Sequence, residues 1–169
     1  MKTSALCATV LCATACLLWA APAFSQTGAP ATQDFVTKVA ISDMFEIQSS
    51  QMALEKKPDR DTKPFAQQMI KDHTKTSAEV KGLVDKGKVQ ATLPLALDAE
   101  HQKVLDDLKA KDGKDFDQAY DQAQLKGHQD AVALFEAYAK GGDNADLKKW
   151  AAATLPHLKQ HLAMAQKLK

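Results

Sequence analysis

From Asp34 to Leu168 apolar side chains recur at helical spacing, and nowhere do apolar and polar residues alternate for long enough to make a strand. A chain with that pattern hides its apolar surface by packing helix on helix, so the fold class expected is all-α. Five helices are predicted, over about 33–57, 61–86, 97–111, 115–140 and 144–168. "KKPDRD" separates the first two, with Asp61 or Thr62 as cap and Pro64 in the first turn, where its missing N–H costs nothing. "KGKVQATLP" precedes the third and "KDGKD" follows it. "KGGDN" supplies glycines to stop the fourth and Asp143 or Asn144 to cap the fifth.

Four of these helices run to about 25 residues, nearly 40 Å at 1.5 Å per residue. The stretch from Gly87 to Lys114, with its one short helix, is long enough to return the chain along the bundle, so that the long helices on either side point the same way. That connection predicts a ferritin-like four-helix bundle with a short extra helix in the crossover between the second and third long helices.

The N-terminus carries a different signal. Met1-Lys2 leads into an apolar run from Ala5 to about Ala21, followed by small residues at leader-peptidase spacing, so residues 1–25 read as a signal peptide. Cleavage fits after Ala23 or after Ser25, and Ser25 is preferred because it leaves polar Gln26 at the new terminus. The run is shorter than the roughly 20 residues of a membrane span. Cys7, Cys12 and Cys16 all lie inside it, which leaves an exported chain without disulfide or thiol chemistry. Ala13, three before Cys16, is not the bulky aliphatic of a lipidation signal. The expected location is the periplasm or the exterior.

Beyond Ser25 the basic and acidic side chains balance at 21 each, with Arg60 the single arginine. A nucleic-acid reader would show a basic stripe, so nucleic acid is excluded as a partner. Residues 26–33, "QTGAPATQ", have linker composition, and 34–168 form one bundle domain.

Chemistry, if any, lies with the histidines. His73 is central to the stripe of Phe65, Met69, Thr76 and Val80. His128 falls in the arc of Phe116, Tyr120, Ala131 and Phe135, beside Gly127. His161 lies on the side of Leu147, Ala151, Leu158 and Ala165, with His157 at its margin beside Pro156, which is expected to kink the helix. Asp43, Glu46 and Ser50 fall within the first helix's apolar stripe, an unusual place for acids.

Glu46, His73, His128 and His157 each sit near the midpoint of their own helix, which brings them to one height, with Asp43 and His161 a turn away. Imidazole and carboxylate together suit zinc, copper, iron or manganese, and bundle cores commonly hold such sites. The plainer reading, which is preferred, is a set of core histidines each donating to a neighbour such as Glu46, Asp43, Tyr120 or Asp121; His101 on the short helix is of that kind. A buried neutral His73 would loosen the bundle in acid. No histidine has the Glu-x-x-His spacing of a di-iron site, and no phosphate loop or nucleophile elbow is present.

The segments "DFVTKVAISDMFEIQSSQMAL", "FAQQMIKDHTKTSAEVKGL" and "FDQAYDQAQLKGHQDAVALFEAYAKGGDNADLKKWAAATLPHLKQHLAMAQKL" together resemble a large family of exported bacterial proteins, carried as a domain of unknown function and often given an outer membrane protein label. The resemblance implies a ferritin-like helical bundle outside the cytoplasm and no reaction. A membrane barrel would need many alternating strands, which the sequence lacks. The expected function is therefore a non-catalytic exported module serving envelope stress tolerance, or binding an envelope protein or small ligand. The alternative is a metal-binding protein using Glu46, His73, His128 and His157 or His161.

Overall fold

The structure is a computed structural model and describes residues 28–168. The expected signal peptide, with Gln26 and Thr27, lies outside the described residues. Within them are α1 (Thr32–Glu55), α2 (Thr62–Asp85), α3 (Ala99–Lys109), α4 (Gly113–Gly141) and α5 (Ala145–Ala165), and no strand.

The helix ends follow from local chemistry. Asp98 and Asn144 cap α3 and α5, accepting from the backbone N–H groups of His101 and Leu147. Before α2 the capping oxygen belongs to Asp59 rather than to the expected Asp61 or Thr62; it accepts from the N–H groups of both. Gly87 ends α2 in the left-handed region (φ 68°), where its lack of a Cβ removes the steric cost, and the next two N–H groups fold back onto the Leu83 carbonyl. The helix α5 runs on through Pro156.

The last two residues of the expected linker, Thr32 and Gln33, already belong to α1, and Thr32 Oγ1 lies 2.6 Å from both the Tyr138 hydroxyl and the Asp143 carboxylate.

Helix α1 packs chiefly on α2, and α4 on α5. The start of α1 meets the end of α4 through those Thr32 contacts, while Lys56 at the other end of α1 bonds Asp112 at the start of α4. These two helices are therefore antiparallel. Lys88, just past α2, reaches Asp146 and Asn144 at the start of α5. It follows that α2 and α4 point the same way, and that residues 86–112 carry the chain back along the bundle, with α3 against α1 and α4.

Buried positions alternate in steps of three and four, the seam of left-handed helix packing. In α5 they are Leu147, Ala151, Thr154, Leu158, His161 and Ala165. In α1 the seam includes Val36, Val39, Asp43, Glu46, Ser50 and Ala53, so the acids found in its apolar stripe do face the interior.

The apolar core is consequently split in two. One cluster gathers Phe35, Val39, Val80, Phe135, Tyr138, Leu147 and Leu158; the other gathers Phe45, Ala53, Phe65, Met69, Phe116, Tyr120 and Ala165. Burying a side chain of this size is worth about 1.5–3 kcal/mol, so the two clusters together supply the drive to fold. Between them, along every long helix, lies a polar layer.

Candidate metal centre

Four helices contribute to that layer: Asp43, Glu46, Ser49 and Ser50 from α1, His73 from α2, Gln124 and His128 from α4, and His161 from α5, all buried. Such a layer costs folding energy unless its polar atoms are paired, and most are. Ser50 bonds Tyr120, and Gln124 donates to Ser49 Oγ at 3.2 Å.

Each of the three histidines is held by one ring nitrogen. His73 Nδ1–H donates to Asp43 Oδ1 at 2.7 Å, His128 Nδ1–H to the Gln124 carbonyl at 2.8 Å, and His161 Nε2–H to Asp72 Oδ2 at 2.9 Å. The acceptors are anchored in turn. Asp43 also accepts from Thr76 and Ser77, and Asp72 from Gln68. Since a carboxylate or carbonyl can only accept, these bonds fix the tautomer of each ring in its neutral form and then leave the other nitrogen with a bare lone pair. Those nitrogens, His73 Nε2, His128 Nε2 and His161 Nδ1, are buried and have no partner among the described residues.

One ring nitrogen from each histidine can be chosen so that all three lie within 4.8 Å of one another, with ring centroids 5.5–5.8 Å apart. For three atoms so spaced some point lies within about 2.8 Å of all of them, against about 2.0–2.1 Å for a metal–imidazole bond, so seating an ion asks each ring to move by less than about 1 Å. Grouped rings, each with one nitrogen bonded to an anchored acceptor, are the arrangement in which outer partners orient imidazole ligands.

Electrostatics separate the three rings. Burial pushes His128 down to about 3, and the neighbouring His73 and His161 add to the effect. Burial also holds His161 below its ordinary value, against the opposing pull of Asp72. For His73 burial acts the same way but is outweighed by the Asp43 hydrogen bond and the charges of Glu46, Asp43 and Asp72, so its pKa is raised. That reverses the expectation that His73 is the acid-labile group; His128 and His161 are.

Of the residues singled out in the sequence, His73, His128 and His161 come together. Glu46 is buried beside them, its Oε1 4.0 Å from His128 Nδ1, but it stands outside the group of converging ligand atoms. Burial raises its pKa to about 7. Gly127 makes room for it, since a Cβ there would come within 3.3 Å of Glu46 Oε1. His157 is exposed and stands apart. It immediately precedes Leu158 and is off the seam, while His161 lies between Leu158 of one apolar cluster and Ala165 of the other, at the level of the polar layer. His101 is half-buried rather than a core residue, bonded to Asp98 at 2.7 Å. Asp72, Gln124 and Ser77 were not foreseen, and Thr76, placed on the stripe around His73, was not foreseen as a partner of Asp43. No sequence spacing announces that Asp72 on α2 reaches across to α5.

The profile of a family described as "Domain of unknown function (DUF4142)" matches residues 19–168. The chain belongs to this family. No curated protein matches the sequence. Among solved structures, CopM in the Cu(II)-bound form is similar, with a TM-score of 0.67 at 17% sequence identity, covering 82% of this chain and 95% of that one. At that identity the likeness shows a shared fold.

Proposed function

We propose that this DUF4142 protein is an exported, non-catalytic metal-binding bundle of ferritin-like connectivity, in which His73, His128 and His161 hold one transition-metal ion. One observation carries the reading: three buried imidazoles each have one nitrogen committed to an acceptor and the other bare, with the rings gathered on one point. A set of core histidines satisfied by neighbours would pair both nitrogens, or leave the spare ones pointing apart.

Neutral imidazole suits copper and zinc among the metals considered, and copper(II) binds more tightly than zinc at a given nitrogen site. The Cu(II)-bound form of the similar CopM supports testing copper first. Iron and manganese fit less well, because Glu46 stands outside the ligand group. Among the described residues no helix is long and apolar enough to cross a membrane, which is compatible with a role in the envelope space.

Element analysis of untagged protein purified from the envelope fraction tests the proposal, with His73→Ala and His128→Ala as controls. Stoichiometric metal lost in both variants is the expected result. Protein that is metal-free as isolated, and that takes up neither copper nor zinc afterwards, would remove the reading.

A cavity of about 490 Å³, bordered by Phe45, Glu46, His73 and Leu134, favours a second reading, the binding of a small organic ligand beside the histidine layer. It predicts ligand uptake that persists in His128→Ala.

A further inference from the structure

Among the described residues, a cavity and a groove both reach the histidine layer, and they are not equivalent. The larger cavity, on the α1–α4 side, touches His73 alone of the three rings. The groove, of about 360 Å³ between α2 and α5, is lined by both His73 and His161. Asp72 and His157 line it too.

His157 is exposed and lies one helical turn before His161, so the two side chains follow one another along the same side of α5. His161 turns Nε2 toward Asp72 and keeps Nδ1 bare. Glu79 adds a second carboxylate to the groove, held at 2.9 Å by Trp150 Nε1. The groove lining thus brings together an exposed imidazole, His157, two carboxylates, Asp72 and Glu79, and a buried imidazole with an unpartnered nitrogen, His161.

Resting on the metal-binding reading above, we infer that this groove is the route by which a divalent cation reaches the layer, and that His157 captures the ion at its mouth. A buried site needs a way in. Capture at His157 turns the second encounter into an intramolecular one: the ion sits about 6 Å from His161 rather than free in solution. Transfer exchanges one imidazole ligand for another as the ion's waters leave, with nothing oxidised or reduced. His157 is a positioning residue on the path and has no place in the final ligand set.

The test is kinetic. Full-length metal-free protein is mixed rapidly with Cu(II) carried by a chromophoric chelator, and transfer is followed by the chelator's absorbance. His157→Ala is expected to slow uptake and release alike, on the order of tenfold, leaving Kd within about threefold of wild type. Ala153→Trp, which fills the groove without touching a ligand, is expected to do the same, while exposed Lys149→Ala has no effect. Wild-type rates in both groove variants would overturn the route. A loss of equilibrium affinity in His157→Ala as large as that in His161→Ala would overturn it differently, by making His157 a ligand of the stable site. Failure of the wild-type protein to take up either copper or zinc would instead sink the metal-binding reading itself, and the two failures are distinct.

Discussion

Asp43 offers the sharpest perturbation, because it touches a proposed ligand without being one. Its carboxylate accepts from His73 Nδ1, from Thr76 Oγ1 through both oxygens, and from Ser77 Oγ. In Asp43→Ala the His73 N–H loses its acceptor in a buried setting, which costs about 1–3 kcal/mol, and the ring is free to turn. Losing an outer partner of a metal-ligating histidine typically costs 10–100-fold in affinity, or about 1.4–2.8 kcal/mol. Asp43→Asn keeps an acceptor oxygen but not the charge, so its loss should fall between wild type and Asp43→Ala. Competition with a chelator of known affinity at pH 7.5 measures each Kd, and circular dichroism checks that the helices persist. A folded Asp43→Ala protein binding copper within threefold of wild type would refute the claim that Asp43 orients a ligand.

Further outcomes follow from the buried titratable groups. For metal-free protein, His128 sits near 3 when folded against about 6.5 when unfolded, so between those values the unfolded chain binds the extra proton. Stability is therefore lost as pH falls below about 6.5, by up to about 1.4 kcal/mol per unit from this group. Glu46, raised to about 7, works in the opposite direction, because below that pH the folded chain takes up protons more readily. Urea unfolding of His128→Phe should consequently show less acid loss between pH 6.5 and 4.5 than wild type, and Glu46→Gln should show more; equal slopes in all three would contradict the assignment. Asp121, with both carboxylate oxygens buried and unpartnered, is raised to about 7 by burial and by the charges of Asp59 and Asp117. Asp121→Asn is expected to raise the thermal midpoint at pH 8 and to raise it less at pH 5, and a lowered midpoint at pH 8 would argue that the charge is compensated.

Helical period and punctuation made the scaffold legible, down to Asn144 as a cap and the long return before α4. The polar layer was half legible. Asp43, Glu46, His73 and His128 stand on apolar stripes, where their burial could be read from spacing. In α5 spacing put His161 on the buried side and His157 at its margin, but height pointed to His157, because midpoint matching assumes that all four helices are level. In α5 the layer lies toward the C-terminal end, between Leu158 and Ala165, and the side chains that bury each helix determine that offset. The partners behind the rings were illegible for a related reason: Asp72 reaches His161 across 89 positions of sequence, a contact that exists only once α2 and α5 are docked.

The central claim is best met by counting nitrogens. Pulsed electron paramagnetic resonance on protein loaded with one equivalent of Cu(II) reports the imidazoles bound to the ion. Three per chain are expected, with the signature lost in His128→Ala and retained in His157→Ala. An unchanged signature after His73, His128 and His161 are all replaced by alanine would place the copper elsewhere and contradict the account.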